Sequence, residues 1–405
     1  MTIEYNPVGI ACNIACAYCY QDPMREAGNI NVPRDWSRVK QQIDRMGSDF
    51  AVFGGEALLT PMAHLEEVFA YGFERFGKNA VQTNGTLITD AHIDLFERYK
   101  VNVGISIDGP PELNHVRCAP ELTGRSIMAI EKLCARGVFP SIITTIHRGN
   151  ANLPLLTAFF DWLGDHGVRY LNLHELEVEC GREHLTLSEE ENLRVYLELY
   201  DWSKTTSMHV LPFADIKALL TTPHPQTTCT WNHCDPLTTQ AVHGINPNGE
   251  LSNCGRTNKD GVNWVKADRP GDERYALLYR TPQEFGGCQG CGYFAFCKGH
   301  CPGTAIDGDW RNRTVNCRLW YGLFERIERD CDPATLLSAE VKRQLAEGIM
   351  HGDRPHGDGH ADSWEHGDRP HGDSHGDHTD YGTRQRIPVT FLGSFPYGAT
   401  PVSPP

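Results

Sequence analysis

Residues 3–20 read IEYNPVGIACNIACAYCY. A short apolar strand, IEYNPVG (3–9), runs straight into a loop that carries Cys12, Cys16 and Cys19 in a C-x3-C-x2-C spacing. Three thiolates on one short loop can hold three irons of a four-iron cluster and leave the fourth iron without a protein ligand. That vacancy follows the same logic as the open position of a catalytic zinc site. The plain alternative is a zinc knuckle that lacks its fourth ligand.

Downstream of this loop, short apolar strands alternate with amphipathic helices to about residue 206. Strands are predicted at FAVFGG (50–55), NAVQTNG (79–85), VNVGISIDG (101–109), PSIITTIH (140–147) and YLNLHEL (170–176), and helices near 35–46, 63–76, 90–100, 125–137, 154–166 and 188–206. Six β-then-α units in a row predict an α/β fold built on a parallel sheet, either an open doubly wound sheet or a complete or partial barrel. In either arrangement the chemistry belongs at the C-terminal ends of the strands.

Composition narrows the function classes. The net charge of −15 disfavours a nucleic-acid partner, because phosphate binding needs clustered Lys and Arg. The chain has no run of about 18 apolar residues, so no membrane span is expected. The opening MTIEYNPVG has neither a basic segment nor an apolar core, so no secretion signal is read and a cytoplasmic location is expected. Fifteen Cys in such a chain point to metal or redox chemistry rather than a disulfide framework.

Eight of those Cys fall between 229 and 317, where helical periodicity is nearly lost until RLWYGLFERIERD (318–330). Cys229 and Cys234 come first, then Cys254, then Cys288, Cys291, Cys297 and Cys301, and last Cys317. Eight thiolates fill two four-iron clusters with no iron left open, and bound metal can stabilise a segment so poor in regular structure. Two four-thiolate zinc sites fit the spacing as well. Cys118, Cys134, Cys180 and Cys331 show no metal spacing and are expected to be structural, Cys134 as a core residue on a helix.

Residues 334–350 predict one further amphipathic helix. Residues 351–380 repeat a fifteen-residue unit, HGDRPHGDGHADSWE and then HGDRPHGDSHGDHTD, too poor in apolar side chains to bury a core. This stretch and the Pro- and Gly-rich tail are expected to be disordered. A solvated tail is the plain reading of the repeat. Metal binding by its seven His, or a fused substrate segment, are the sharper ones.

The CNIACAYCY loop and the segments that follow it resemble the radical SAM enzymes, over roughly residues 3–206. The resemblance implies a [4Fe-4S] cluster on Cys12, Cys16 and Cys19, whose open iron binds S-adenosyl-L-methionine. Reductive cleavage of that cofactor yields a 5′-deoxyadenosyl radical, which takes hydrogen from a substrate. Tyr18 matches the aromatic that precedes the last Cys and is expected to pack over the cluster or the adenine. FGGEALL places Gly54, Gly55 and Glu56 at the end of the second strand. Glycines there allow close backbone approach to a ligand, and the carboxylate can accept from an ammonium. Ala57 stands where the family usually has Pro. QTNGTLI adds Thr83 and Asn84, read either as a strand-ending turn or as a ligand contact. Ser106 in GISIDGP resembles the hydroxyl that bonds the methionyl carboxylate. Arg117 lies in Asn114-His115-Val116-Arg117, where relatives often have a His-Asp-x-x-Arg run, so the register departs from the family's.

The later Cys order resembles the SPASM domain of radical SAM enzymes that mature peptides and proteins. By that resemblance one auxiliary [4Fe-4S] cluster uses Cys229, Cys234, Cys254 and Cys301, and the other Cys288, Cys291, Cys297 and Cys317, three clusters in all. The implied architecture is a partial (β/α)6 TIM-like barrel (1–215), a Cys-rich SPASM domain (216–331), a helix (332–350) and a disordered tail (351–405). The implied activity is maturation of a ribosomally made peptide by an oxidative cross-link, with an electron donor such as flavodoxin or ferredoxin. Only eleven residues precede Cys12, so a leader-binding partner protein, or recognition by the barrel mouth, is expected. Anaerobic sulfatase maturases, which form formylglycine, are the alternative. They carry an Asp after the third Cys of the first auxiliary set, where this chain has Gly255. A non-catalytic iron–sulfur electron carrier is the reading from another class. It requires a fourth ligand for the N-terminal trio, which only Cys118, folding in from the fourth strand, is placed to supply.

Overall fold

A computed structural model describes residues 2–22, 25, 33–177, 183–236, 242–257, 271 and 273–350. The predicted disordered tail, its His/Asp repeat and Cys180 lie outside the described residues. One compact unit spans residues 1–357.

Strands β1 (Thr2–Tyr5), β2 (Phe50–Val52), β3 (Asn79–Thr83), β4 (Val101–Ser106), β5 (Ser141–Ile146), β6 (Tyr170–Glu175) and β7 (His209–Leu211) lie side by side in chain order and all parallel. Across β1–β7 the strand order runs in one direction, whereas a doubly wound sheet reverses it at a switch point near its middle. The sequence left both possibilities open, and the strand order selects the open partial barrel. The sheet continues past β1 with β8 (Val242–Ile245), parallel to it, and ends with β9 (Leu251–Ser252), antiparallel to β8.

The alternation of the strand residues sorts the two faces. On β1, Ile3 and Tyr5 are fully buried toward the helices, whereas Glu4 points to the other, interior face. In register, Glu4 lies between Ala51 and Gly244.

Helices α1 (Trp36–Met46), α2 (Met62–Phe76), α3 (Asp90–Arg98), α4 (Pro111–Asn114), α5 (Pro120–Ala135), α6 (Leu153–Asp165), α7 (Glu189–Ser203) and α8 (Phe213–Thr221) follow the strands. Local signals start and stop several of them. Asp35 accepts from Arg38 N at 3.0 Å and Gly47 ends α1, while Ser188 and Glu191 form a capping box on α7.

Further along come α9 (Glu273–Arg280), α10 (Phe294–Cys297), α11 (Cys317–Asp330) and α12 (Ala339–Met350). Helix α11 docks on the barrel helices. Its Trp320 ring meets Tyr196 of α7 at 6.1 Å, Phe324 and Ile327 are buried, and Asp330 pairs with Lys204 at 2.6 Å. The predicted helix over 334–350 begins instead at Ala339, after a short 3-10 turn at Pro333–Thr335. Among the described residues, no helix is long and apolar enough to cross a membrane.

Candidate functional site

Cys12, Cys16 and Cys19 stand together on the loop after β1, all free thiols and close enough to influence one another's ionisation. Burial raises the Cys12 thiol and pushes Cys16 up to about 12. In the cluster-free protein both are therefore protonated at neutral pH, and metal must displace those protons to bind.

The FGGEALL segment packs directly against this loop. A Cβ on Gly54 would stand 2.6 Å from the Gly9 carbonyl oxygen, and one on Gly55 2.3 Å from those of Ile10 and Ala11. Gly55 N donates to Gly9 O at 3.0 Å and Glu56 N to Ala11 O at 2.8 Å. These glycines thus let backbone approach the Cys loop itself, where the sequence suggested approach to a ligand. The buried Glu56 carboxylate accepts from Leu58 N (3.0 Å), Thr83 Oγ1 (2.6 Å) and Asn84 N (2.7 Å). Burial raises its pKa, and those donors oppose the shift. Thr83 and Asn84 are both turn and anchor: Asn84 Nδ2 donates to Asn13 Oδ1 at 2.9 Å, and Asn13 Nδ2 to Thr86 Oγ1 at 2.8 Å. Ser106 Oγ, at the end of β4, accepts from Gln82 Nε2 at 2.8 Å.

Behind Cys16 a second network turns on Asp108, which is fully buried. The Tyr18 hydroxyl donates to Asp108 and accepts from Arg117 Nη1 at 2.7 Å. Thr145 N donates to the same carboxylate at 2.9 Å. The His147 ring, whose Nδ1 accepts from Gly149 N, turns its Nε2 toward Asp108 at 3.6 Å. Burial alone would raise the Asp108 carboxyl, yet Arg117, with His147 and Tyr18, holds it below its usual range. Arg117 therefore joins the site despite its departed register. Tyr18 packs against Leu176, Leu185 and Cys16, with its polar end tied to Asp108. Cys118 Sγ turns to Asn114 and Thr123 instead, at 3.4 and 3.5 Å.

The other eight thiols divide into two sets by mutual influence. Cys229 is affected by Cys234 and Cys301, and Cys254 by Cys229 and Cys301. Cys297 is affected by Cys288, Cys291 and Cys317. Burial raises Cys229 and Cys288 to about 12 and lifts Cys254, Cys291, Cys297 and Cys301 as well. Eight thiols gathered in two quartets, three thiols buried and five half-buried, without a disulfide suit iron–sulfur ligation. Among the described residues, no group of three or more His, Cys, Asp or Glu is arranged to hold a single metal ion. Cys134 and Cys331 pack against the hydrophobic core.

Between the N-terminal trio and the first quartet lies a buried charged patch that sequence reasoning missed. Arg256 binds Glu177 through Nε and approaches Glu175 Oε1 at 3.3 Å through Nη2. Burial raises Glu4 to about 7 and lowers His174 to about 4, with Arg256 opposing the first shift and adding to the second. The Tyr20 ring fills the space next to Gly255. Only the apolar–acidic–apolar alternation of Ile3-Glu4-Tyr5 signalled any of this. A cleft of about 480 Å³ opens beside Cys288 and Cys291, lined in part by Arg280, Lys342 and Arg343.

The Radical SAM superfamily model matches residues 6–151. The serine-type anaerobic sulfatase-maturating enzyme of Klebsiella aerogenes is 30% identical over 197 residues, 44% of this chain and 47% of that protein. The AdoMet-dependent heme synthase of Oleidesulfovibrio alaskensis is 28% identical over 71% of this chain and 79% of its own length. The subtilosin biosynthesis protein AlbA of Bacillus subtilis is 28% identical over 34% of this chain and 32% of its own length. The chain spans about half the length of the serine-type sulfatase-maturating relatives it matches. Among solved structures, native anSMEcpe with bound AdoMet superposes with a TM-score of 0.65 at 18% identity, covering 81% of this chain and 98% of that one. Streptococcus suis SuiB bound to S-adenosylmethionine gives 0.54 at 15% identity, over 78% of this chain and 76% of that one. With the C-x3-C-x2-C loop after β1 and the parallel sheet, residues 6–151 carry a radical SAM domain, and the chain shares the fold of anSMEcpe and SuiB.

Proposed function

We propose that the chain matures a ribosomally made peptide, taking hydrogen from it with a 5′-deoxyadenosyl radical and leaving an oxidative cross-link. The observation that carries this reading is the sorting of eleven thiols into one set of three and two sets of four. A four-iron cluster with S-adenosylmethionine on its open iron supplies the electron and the radical. In this reading Cys12, Cys16 and Cys19 hold that cluster. Cys229, Cys234, Cys254 and Cys301 hold one auxiliary cluster, and Cys288, Cys291, Cys297 and Cys317 the other.

The protein's own part is positioning and shielding. Gly54, Gly55 and Glu56 brace the Cys loop, Thr83 and Asn84 anchor Glu56 and Asn13, and Ser106 presents a hydroxyl at the end of β4 for the cofactor. Tyr18 and Arg117 back the loop through Asp108. The turn of Cys118 toward Asn114 and Thr123 supports a trio with no fourth thiol, which disfavours a pure electron carrier. The cleft beside Cys288 and Cys291 suits electron exchange with a partner such as flavodoxin or ferredoxin. A leader-binding protein remains part of the proposal. A peptide substrate is supported by the biosynthetic role named for AlbA and by SuiB solved bound to its precursor peptide SuiA.

Formylglycine formation is the second reading, favoured by the sulfatase-maturating relatives. Against it, Gly255 stands where those enzymes carry Asp, with the Tyr20 ring beside it. Anaerobically reconstituted protein is expected to release 5′-deoxyadenosine from S-adenosylmethionine, and Cys16→Ala to abolish that release. Mass spectrometry of peptides from neighbouring reading frames separates the two readings. A two-hydrogen loss with a new linkage supports the cross-link, whereas a formylglycine product overturns it.

A further inference from the structure

Arg25 stands just past the Cys loop, one-fifth exposed, with each arm of its guanidinium committed. Its Nε donates to Ile10 O at 2.9 Å, its Nη1 pairs with Asp22, and its Nη2 donates to Cys19 Sγ at 3.1 Å. The side chain thus ties the backbone that enters the loop to the residues that leave it. It also places a permanent positive charge against one sulfur of the trio.

We infer that Arg25 is a positioning residue that sets the reduction potential of the N-terminal cluster through its hydrogen bond to Cys19. The inference rests on the reading that Cys12, Cys16 and Cys19 hold a four-iron cluster. A sulfur bound to iron still accepts hydrogen bonds, and such bonds, with net charge and solvent exposure, set cluster potentials. One electron from a low-potential donor adds one unit of negative charge to the cluster. A cation fixed at a ligand sulfur stabilises that added charge, and partial exclusion from water keeps the effect from being screened away. Asp22, on the same guanidinium, offsets part of the charge. Arg117, which influences Cys16 from the far side, supplies a background that substitution of Arg25 leaves in place.

The test is a potentiometric titration of the reduced-cluster electron paramagnetic resonance signal in anaerobically reconstituted, full-length protein. The N-terminal signal is the one that added S-adenosylmethionine perturbs. Arg25→Gln is expected to lower the reduced-to-oxidised ratio about tenfold at a fixed poise, about 59 mV for one electron. Arg25→Lys, which keeps the charge, shifts it less, and Asp22→Asn shifts it the opposite way. If Arg25→Gln fails to hold iron, the opposed shifts of the other two variants decide the matter. Midpoints unmoved by these substitutions, or Arg25 and Asp22 variants that move together, overturn the inference while the cluster reading stands. A preparation in which S-adenosylmethionine perturbs no signal overturns both.

Discussion

Tyr20 occupies the space into which a side chain at residue 255 would project: a Cβ on Gly255 would stand 2.8 Å from the Tyr20 ring and 3.3 Å from its hydroxyl. The two residues belong to different thiol sets, Tyr20 adjoining Cys19 and Gly255 adjoining Cys254. A change at one is felt at the other.

Gly255→Asp is therefore expected to destabilise the protein by about 1–3 kcal/mol through overpacking. Tyr20→Ala in the same chain should recover most of that loss. Urea denaturation of the four members of the cycle gives the coupling, expected to be at least about 1 kcal/mol for residues in contact. Strictly additive effects would contradict the arrangement.

Asp108 holds Tyr18, Arg117 and the Thr145 amide at once. Asp108→Ala leaves a buried guanidinium without its carboxylate, a loss of about 3–5 kcal/mol. Tyr18→Phe removes one hydroxyl and should cost only about 1 kcal/mol. Denaturant midpoints of the two variants check the ranking.

Glu4 and His174 make opposed contributions to the pH dependence of the cluster-free protein. His174, lowered to about 4, binds fewer protons folded than unfolded between about pH 4 and 6.5. Its contribution is present above that window and lost as pH falls through it. Glu4, raised to about 7, binds more protons folded than unfolded between about pH 4.5 and 7, so its contribution is lost as pH rises. Each shift corresponds to on the order of 3 kcal/mol, and the two largely cancel. Glu4→Gln should unmask stability that rises with pH, and His174→Gln stability that falls. Melting temperatures from pH 4.5 to 7 measure the slopes.

Iron removal should loosen the C-terminal Cys region first. Three members of the second quartet stand on short turns and the one-turn helix α10, with Cys317 at the start of α11, and metal held by such a segment would be coupled to its folding. Chelated protein is expected to lose amide-exchange protection around 286–304 while β3–β6 keep theirs. Cys297→Ala should lower the iron content, whereas Cys134→Ala, on the surface of the core, should leave it unchanged.

Much of the barrel was legible because its signals are local. The six predicted strands and the helices between them appear within a few residues of their places, since two-residue alternation and capping residues such as Asp35 and Ser188 act over short range. The short strand β7 was missed, and so was the docking of β8 onto β1. VHGI carries no strand signature of its own and becomes a strand by pairing with β1, more than 230 residues away. The N-terminal trio stood out by its spacing, whereas the pairing of Cys301 with Cys229, Cys234 and Cys254 was implied only by the resemblance to the SPASM domain. Glu4, Arg25, His174 and Arg256 were not legible, because each is a single charged or polar residue whose meaning comes from partners distant in sequence or from burial.

Strand β8 lies beside β1, the same strand that delivers Cys12. The hairpin bearing Cys254 and the loop bearing the N-terminal trio are consequently fastened to one backbone ladder, not to two bodies hinged by a linker. The separation of these two sets of thiols is then set by strand register. Severing the chain ahead of β8 would strip β1 of a neighbour and leave neither fragment self-sufficient.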